Sequence, residues 1–233
     1  MSEPLIDRHV VVTGGAGALG KAVVARLLQA GAVCHVPVRG SAGMPVAADG
    51  DRLRVVTGVE LGDEVAVDRF YDRVPRLWAS VHLAGGFAMA PLGQASQADF
   101  LHLLQINALT TWLCCRAAVR AMRRGGTGGR IVNVAARPGI EPRRGAGMVA
   151  YAGAKAAVAA ITQALAEELK DERILVNAIA PSTLDTEANR KAMPGADTSR
   201  WLAPAAAAEA VLQLVAPANV EISGAVLPLY ARA

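Results

Sequence analysis

In the stretch MVAYAGAKAAV, residues 148–158, a tyrosine and a lysine stand four positions apart among small and apolar residues. Four residues is just over one helical turn, so on a helix the phenol of Tyr151 and the ammonium of Lys155 share a face. A cation beside a phenol favours the phenolate and lowers a pKa that is ordinarily about 10. The pair then becomes a proton donor and acceptor usable near neutrality. Taken alone, Tyr-x-x-x-Lys more often means a packed ring and a lysine stem lying along apolar surface, so the rest of the chain must decide.

A second place for chemistry is VVVTGGAGALGKAVV, residues 10–24, where Gly15, Gly17 and Gly20 carry the spacing G-x-G-x-x-G between a β-branched run and a helical one. Glycines there let the backbone approach a pyrophosphate at a helix N-terminus, whose unpaired N–H groups and dipole favour negative charge. A dinucleotide site also wants a partner for the adenosine ribose at the end of the next strand: an acid for NAD, or an arginine for the 2′-phosphate of NADP. That strand reads VCHVPVRG and ends in Val38 and Arg39. NADP(H) is therefore favoured over NAD(H), against the plainer reading of Arg39 as a solvated strand-end residue.

The elements that hold these residues alternate. HVVVT at 9–13 precedes a helix from about Ala18 to Ala30, followed by AVCHVPV at 32–38, LRVV at 53–56 and a short helix near 63–73. SVHLA at 80–84 precedes a long helix near 97–123, and GRIVNVA at 129–135 precedes one running through Tyr151 to about Lys170. ILVNAIA at 174–180, a helix near 204–215 and AVLPL at 225–229 complete the series. Strands alternating with helices predict parallel pairing and right-handed crossovers, in a doubly wound, Rossmann-type α/β sheet covered on both faces. Two segments are long and irregular, GSAGMPVAADGD at 40–51 and PSTLDTEANRKAMPGADTSRW at 181–201. Ligands of such sheets sit at the carboxyl ends of the strands, so the second segment reads as a substrate lid, about 182–203, or as a surface loop.

The 233 residues are 53% hydrophobic and 4% aromatic, which suits one large Ala/Val/Leu/Ile core and a single domain over 1–233. The net charge of +4 is modest, and the pairs Arg123/Arg124 and Arg143/Arg144 carry no interleaved aromatic residues, which disfavours a nucleic-acid partner. Cys34, Cys114 and Cys115 lack metal-ligand spacing, so no metal is expected. No charged leader precedes an apolar run, and nowhere do eighteen apolar residues run together. That is the pattern of a soluble, cytoplasmic protein with a small-molecule substrate and no membrane partner.

The glycine turn, HLAGG at 82–86, Asn107 in QINALTT, GRIVNVA, Tyr151 with Lys155, and VNAIAPSTLDT at 176–186 together resemble a short-chain dehydrogenase/reductase almost end to end. The resemblance implies that Tyr151 is the general acid/base, that Lys155 holds the nicotinamide ribose and lowers the tyrosine pKa, and that Asn107 holds a water in the proton relay. It implies cofactor contacts at Gly14, Gly15, Gly17, Leu19 and Gly20 in the turn, at Arg39, and at Glu60 and Leu61 near the adenine. Ala84, Gly85, Pro181, Thr183 and Thr186 would complete that set, and a homodimer or homotetramer would form through helices that include 97–123 and 150–170.

One departure is grave. The family's serine after the fifth strand, which hydrogen-bonds the substrate oxygen, aligns on Ala136, and no serine or threonine stands between Ile131 and Tyr151. A methyl group donates nothing to a developing oxyanion, and losing one such donor costs about 10² to 10³ in rate. The expected substrate is therefore electrophilic already: an imine, an iminium or a quinonoid, dihydropterin-like compound. The alternatives are a carbonyl or quinone reductase of the same family and a catalytically silent NADP-binding regulator or partner protein.

The segment 181–201 is also similar to the matching stretch of dihydropteridine reductases, which reduce quinonoid dihydropterin without that serine. Leu184-Asp185-Thr186, Asn189-Arg190, Met193-Pro194, Ala196-Asp197 and Trp201 carry this likeness. Animal members favour NADH and have an acid where this chain has Val38. Ala136, Arg137, Met193 and Trp201 are the candidate substrate contacts. Arg137 is either an anion contact or a solvent-facing residue, His82 reads as a packed histidine, and Cys114 and Cys115 as core or interface residues.

Overall fold

A computed structural model describes residues 5–40 and 50–230, so most of the irregular segment at 40–51 lies outside the described residues. The elements run β1 (His9–Thr13), α1 (Ala18–Gln29), β2 (Val33–Pro37), β3 (Leu53–Val56), α2 (Glu64–Asp72), β4 (Leu77–His82), α3 (Gln97–Leu104), α4 (Thr110–Gly125) and β5 (Gly129–Val134). They continue with α5 (Arg137–Ile140), α6 (Val149–Glu168), β6 (Ile174–Pro181), α7 (Glu187–Ala192), α8 (Pro204–Val215) and β7 (Val226–Leu229). The seven strands form one sheet in the order β3-β2-β1-β4-β5-β6-β7, and every pairing is parallel. The winding reverses between β1 and β4, which opens a crevice at their carboxyl ends.

The central strands are apolar runs because both faces are covered. Val10, Val11 and Val12 are wholly buried, and each side chain so buried stabilises by roughly 1.5–3 kcal/mol. On one face α1 and α8 pack together through Val23, Leu27, Val211 and Val215; on the other, Phe70 of α2 and Leu113 and Met122 of α4 meet Ile131 and Val176. Asp63 starts α2 by accepting from the Val65 and Ala66 amides, and Ser96 with Asp99 forms a capping box on α3. Gly126, left-handed at φ 69°, ends α4.

The structure differs from the sequence reading in four places. β4 starts at Leu77 rather than Ser80, because His9 of β1 already pairs with Leu77. The helix read as continuous over 97–123 is two helices joined by a π turn over Gln105–Leu109. Short helix α5 stands where no element was read, and α7 in a segment read as irregular. Among the described helices, α6 alone is long and apolar enough to cross a membrane by length and composition. In the fold it packs on the sheet through Val158 and Ala159.

Candidate active site

The glycine turn is shaped by what it touches. Gly14 sits at φ 67°, and a Cβ there would lie 2.6 Å from the Ala84 amide nitrogen at the exit of β4. A Cβ on Gly20 would fall on the Gly14 carbonyl oxygen. The turn therefore lies flush against Leu83 and Ala84, whose amides also donate to the Thr13 carbonyl (3.1 Å) and Thr13 Oγ1 (3.3 Å). A groove of about 630 Å³ opens beside it, bounded by Gly14, Val38, Leu61, Ala84 and Gly85. Arg39 and Glu60 stand on its rim and pair with each other, Nε to Oε2, at 3.1 Å. Leu19 packs into the core behind the turn.

The π turn carries Asn107 into the interior, wholly buried. Its Nδ2 donates to the carbonyls of Leu103 and Gly86, both at 3.0 Å, and its Oδ1 accepts the Gly86 amide at 3.2 Å. An interruption of this kind inside a helix recurs at functional sites. A Cβ on Gly85 would meet Asn107 Oδ1 at 2.5 Å and would stand 3.6 Å from Lys155 Nζ, so the bare glycine is what lets the asparagine and the lysine approach the same point.

Lys155 is buried on α6 and donates from Nζ to the Val134 carbonyl at 2.8 Å. The same Nζ lies 6.0 Å from the centre of the Tyr151 ring. Phe87, 61% exposed, meets that ring edge to face at 4.9 Å between centroids. Burial dominates the protonation of both groups: it pushes the Tyr151 phenol up to about 12 and the Lys155 ammonium down to about 8. The expected lowering of the phenol pKa by the lysine is thus corrected for this geometry, because the ammonium is turned to Val134 and the ring is desolvated.

Ala136 is buried at the start of α5. The following turn lies hard against α6, for a Cβ on Gly139 would sit 2.7 Å from the Lys155 carbonyl carbon, and one on Gly145 would sit 2.7 Å from the Ala152 Cβ. Arg137 is not the solvent-facing residue of one sequence reading. Its Nε donates to Glu141 Oε2 at 2.9 Å and its guanidinium lies 4.5 Å over the Tyr230 ring, while Tyr230 Oη donates to Glu141 Oε1 at 2.8 Å. Hydrogen bonds from Arg137 and Tyr230 hold the Glu141 carboxyl below its ordinary range.

Ser80 is wholly buried on β4 and bonded to Tyr71 Oη and His82 Nε2, each at 2.8 Å. His82 continues that network to Asn133 Oδ1 at 2.8 Å, and Asn133 Nδ2 reaches Thr162 on α6 at 2.9 Å. Burial drives the His82 pKa down to about 4. It is the packed, hydrogen-bonded histidine that the sequence suggested. Cys114 and Cys115 are likewise buried, and Cys115 Sγ approaches Asn133 Oδ1 at 3.5 Å.

The segment after β6 is tied at its base. The Leu202 amide donates to the Thr183 carbonyl and the Asp185 amide to the Leu202 carbonyl, both at 2.8 Å. Pro181 is buried at the end of β6, paired with Leu229. Thr186 caps α7 by accepting the Asn189 amide at 3.2 Å, and Arg190 forks onto Asp185 at 2.6 and 2.8 Å. Met193 is exposed and Trp201 half-buried.

The profile of the short-chain dehydrogenase family matches residues 8–197. The chain belongs to the short-chain dehydrogenase family. It is 31% identical over 189 residues to a sorbitol dehydrogenase of Cereibacter sphaeroides, covering 78% of this chain and 73% of that one. It is 32% identical over 187 residues to an NAD(+)-dependent 2-dehydro-3-deoxy-L-rhamnonate dehydrogenase of a Sphingomonas species, covering 77% and 73%. Among solved structures, a short-chain type dehydrogenase/reductase of Mycobacterium ulcerans superposes with a TM-score of 0.88 at 26% identity, covering 96% of this chain and 88% of its own.

In this short-chain dehydrogenase the fold gathers Gly14, Ala84, Gly85, Arg39, Glu60 and Leu61 along one groove, and brings Asn107 and Lys155 to Gly85 at its inner end. Sequence reasoning missed the Val134 carbonyl, which has no side-chain signature, and Glu141 with Tyr230, the partners of Arg137, which stand 89 positions apart.

Proposed function

We propose that this short-chain dehydrogenase is an NADPH-dependent reductase acting on a C=N or quinonoid substrate that is already electrophilic. The observation that carries the reading is the convergence of Tyr151, Lys155 and Asn107 at the strand ends, beside a position 136 that has no hydroxyl. The left-handed Gly14 turn and the groove beside it suit a dinucleotide, and Arg39 suits a 2′-phosphate. When bound, NADPH supplies the hydride. Tyr151 supplies the proton to the nitrogen or oxygen that the hydride leaves electron-rich, and Lys155 holds the ribose hydroxyls and returns positive charge toward the phenol. The Val134 carbonyl keeps Lys155 aimed, and Asn107 holds a water in the proton relay. The Ala136 side chain donates no hydrogen bond to the substrate, so the substrate has to carry its own activation.

Thr183, Thr186 and Pro181 are assigned to the nicotinamide end, and the segment 182–203 to a substrate lid with Met193 and Trp201 on its wall. The lid's likeness to dihydropteridine reductases makes quinonoid dihydropterin the first probe. The chain acts as one nucleotide-binding unit over 1–233 in the reducing cytoplasm, which suits three buried, unpaired cysteines. It pairs into a homodimer or homotetramer through α4 and α6, where Trp112 is 47% exposed.

A second reading, an alcohol dehydrogenase or ketone reductase, is favoured by the names of the sorbitol and rhamnonate relatives, one of them NAD(+)-dependent. NADPH oxidation followed by absorbance decides between them, with quinonoid dihydropterin, a cyclic imine and an activated ketone as substrates and NADH as the cofactor control. Turnover of the pterin or imine with the ketone inert supports the proposal. Turnover of the ketone alone moves the assignment to the second reading, and tight NADPH binding with no turnover moves it to a silent nucleotide-binding protein.

A further inference from the structure

Arg39 and Glu60 lie at the ends of adjacent strands, and a backbone bond from the Val59 amide to the Val38 carbonyl, 3.1 Å, draws those ends to one rim of the groove. Glu60 is held at both oxygens. Oε1 accepts the Gly62 amide at 3.3 Å, and Oε2 takes Arg39 Nε at 3.1 Å. The other acid on this rim, Asp63, is committed to capping α2. Among the described residues lining the groove, Glu60 is therefore the acid that faces Arg39.

The pair is open to solvent, with side chains 78% and 52% exposed, so water and salt screen its attraction and it opens easily. A 2′-phosphate carries up to two negative charges and binds a guanidinium best as a fork, with two parallel N–H bonds. Glu60 opposes this twice, by occupying Nε and by placing a carboxylate beside the incoming phosphate. A ribose 2′-hydroxyl suffers neither penalty and can donate to the same carboxylate.

We propose that Glu60 sets the cofactor preference of this site: as the counter-ion of Arg39 it restrains the selectivity for NADPH and keeps NADH usable. The proposal rests on the reading that Arg39 takes the 2′-phosphate. The test measures dissociation constants for NADPH and NADH, by the fluorescence of the reduced nicotinamide, in the wild type, Glu60→Gln and Arg39→Ala. Glu60→Gln is expected to tighten NADPH by about three- to tenfold and to leave NADH within about twofold, with the gain shrinking at high salt. Arg39→Ala is expected to remove most of the preference for NADPH. An unchanged NADPH/NADH ratio in Arg39→Ala overturns both the 2′-phosphate reading and this proposal. A lost ratio in Arg39→Ala, with Glu60→Gln matching the wild type or weakening both cofactors alike, overturns the role of Glu60 alone.

Discussion

Lys155 Nζ reaches back to the carbonyl of Val134 at 2.8 Å, joining the helix that carries Tyr151 to the last residue of β5. The lysine is anchored by backbone, so its position is indifferent to side-chain substitution at 134. Burial sets the phenol pKa here: the ammonium stands 6.0 Å from the centre of the ring, with a hydrogen bond spent on Val134.

Tyr151→Phe removes the proposed proton donor and leaves the ring on Phe87. Turnover should fall by about 10² to 10⁴, while the dissociation constant for NADPH stays within about twofold. Steady-state kinetics beside a binding titration checks this, and undiminished kcat removes Tyr151 from the chemistry.

Ala136→Ser gives position 136 the hydroxyl on whose absence the proposed substrate class rests. With an activated ketone, kcat/KM should rise by about tenfold or more, and with a cyclic imine it should change little. Equal effects on both substrates would show that position 136 does not discriminate between them.

Gly14→Ala meets two obstacles, a left-handed backbone and the Ala84 amide 2.6 Å from the new methyl. The variant should lose about 1–3 kcal/mol of stability by urea denaturation and bind either nicotinamide cofactor more weakly. Retention of wild-type affinity would mean that the turn can open without cost.

His82 governs part of the acid sensitivity. Its folded pKa of about 4 lies below the ordinary 6.5, so the folded state binds fewer protons than the unfolded chain. Its contribution is intact above pH 6.5, falls as pH drops toward 4, and amounts to roughly 3 kcal/mol at full loss. His82→Gln should flatten that part of the stability curve between pH 7 and 4. Because His35 is also held near 4, His35→Gln serves as the parallel control. A His82→Gln curve parallel to the wild type sinks the assignment.

Much of the fold was legible from the chain. HVVVT, LRVV and the helix at 204–215 stand in the structure with the bounds read for them, because alternating β-branched runs and helical stretches are local signals. At the proposed site the sequence could point to Tyr151, Lys155, Asn107 and the glycine turn because a motif names its own side chains, and the fold brings Asn107 and Lys155 to Gly85. What stayed hidden depends on long-range contact. The Arg39–Glu60 bridge needs β2 and β3 paired, and the Glu141–Tyr230 bond needs β7 beside the segment after β5. The π turn escaped because Gln105–Leu109 fits the same apolar pattern as an unbroken helix.

That turn preserves the phase of the helix after it. Wound as α, one extra residue would advance the following helix by about 100°; taken up in the π turn it does not, and α4 keeps Ala117, Ala118, Ala121 and Met122 buried. Deleting a single residue within Gln105–Leu109 would restore an uninterrupted helix with this stripe still in phase, and would remove the bulge that holds Asn107 against Gly86. The local geometry of the site is thus set apart from the rotational setting of a sixteen-residue helix, which the π turn leaves unchanged.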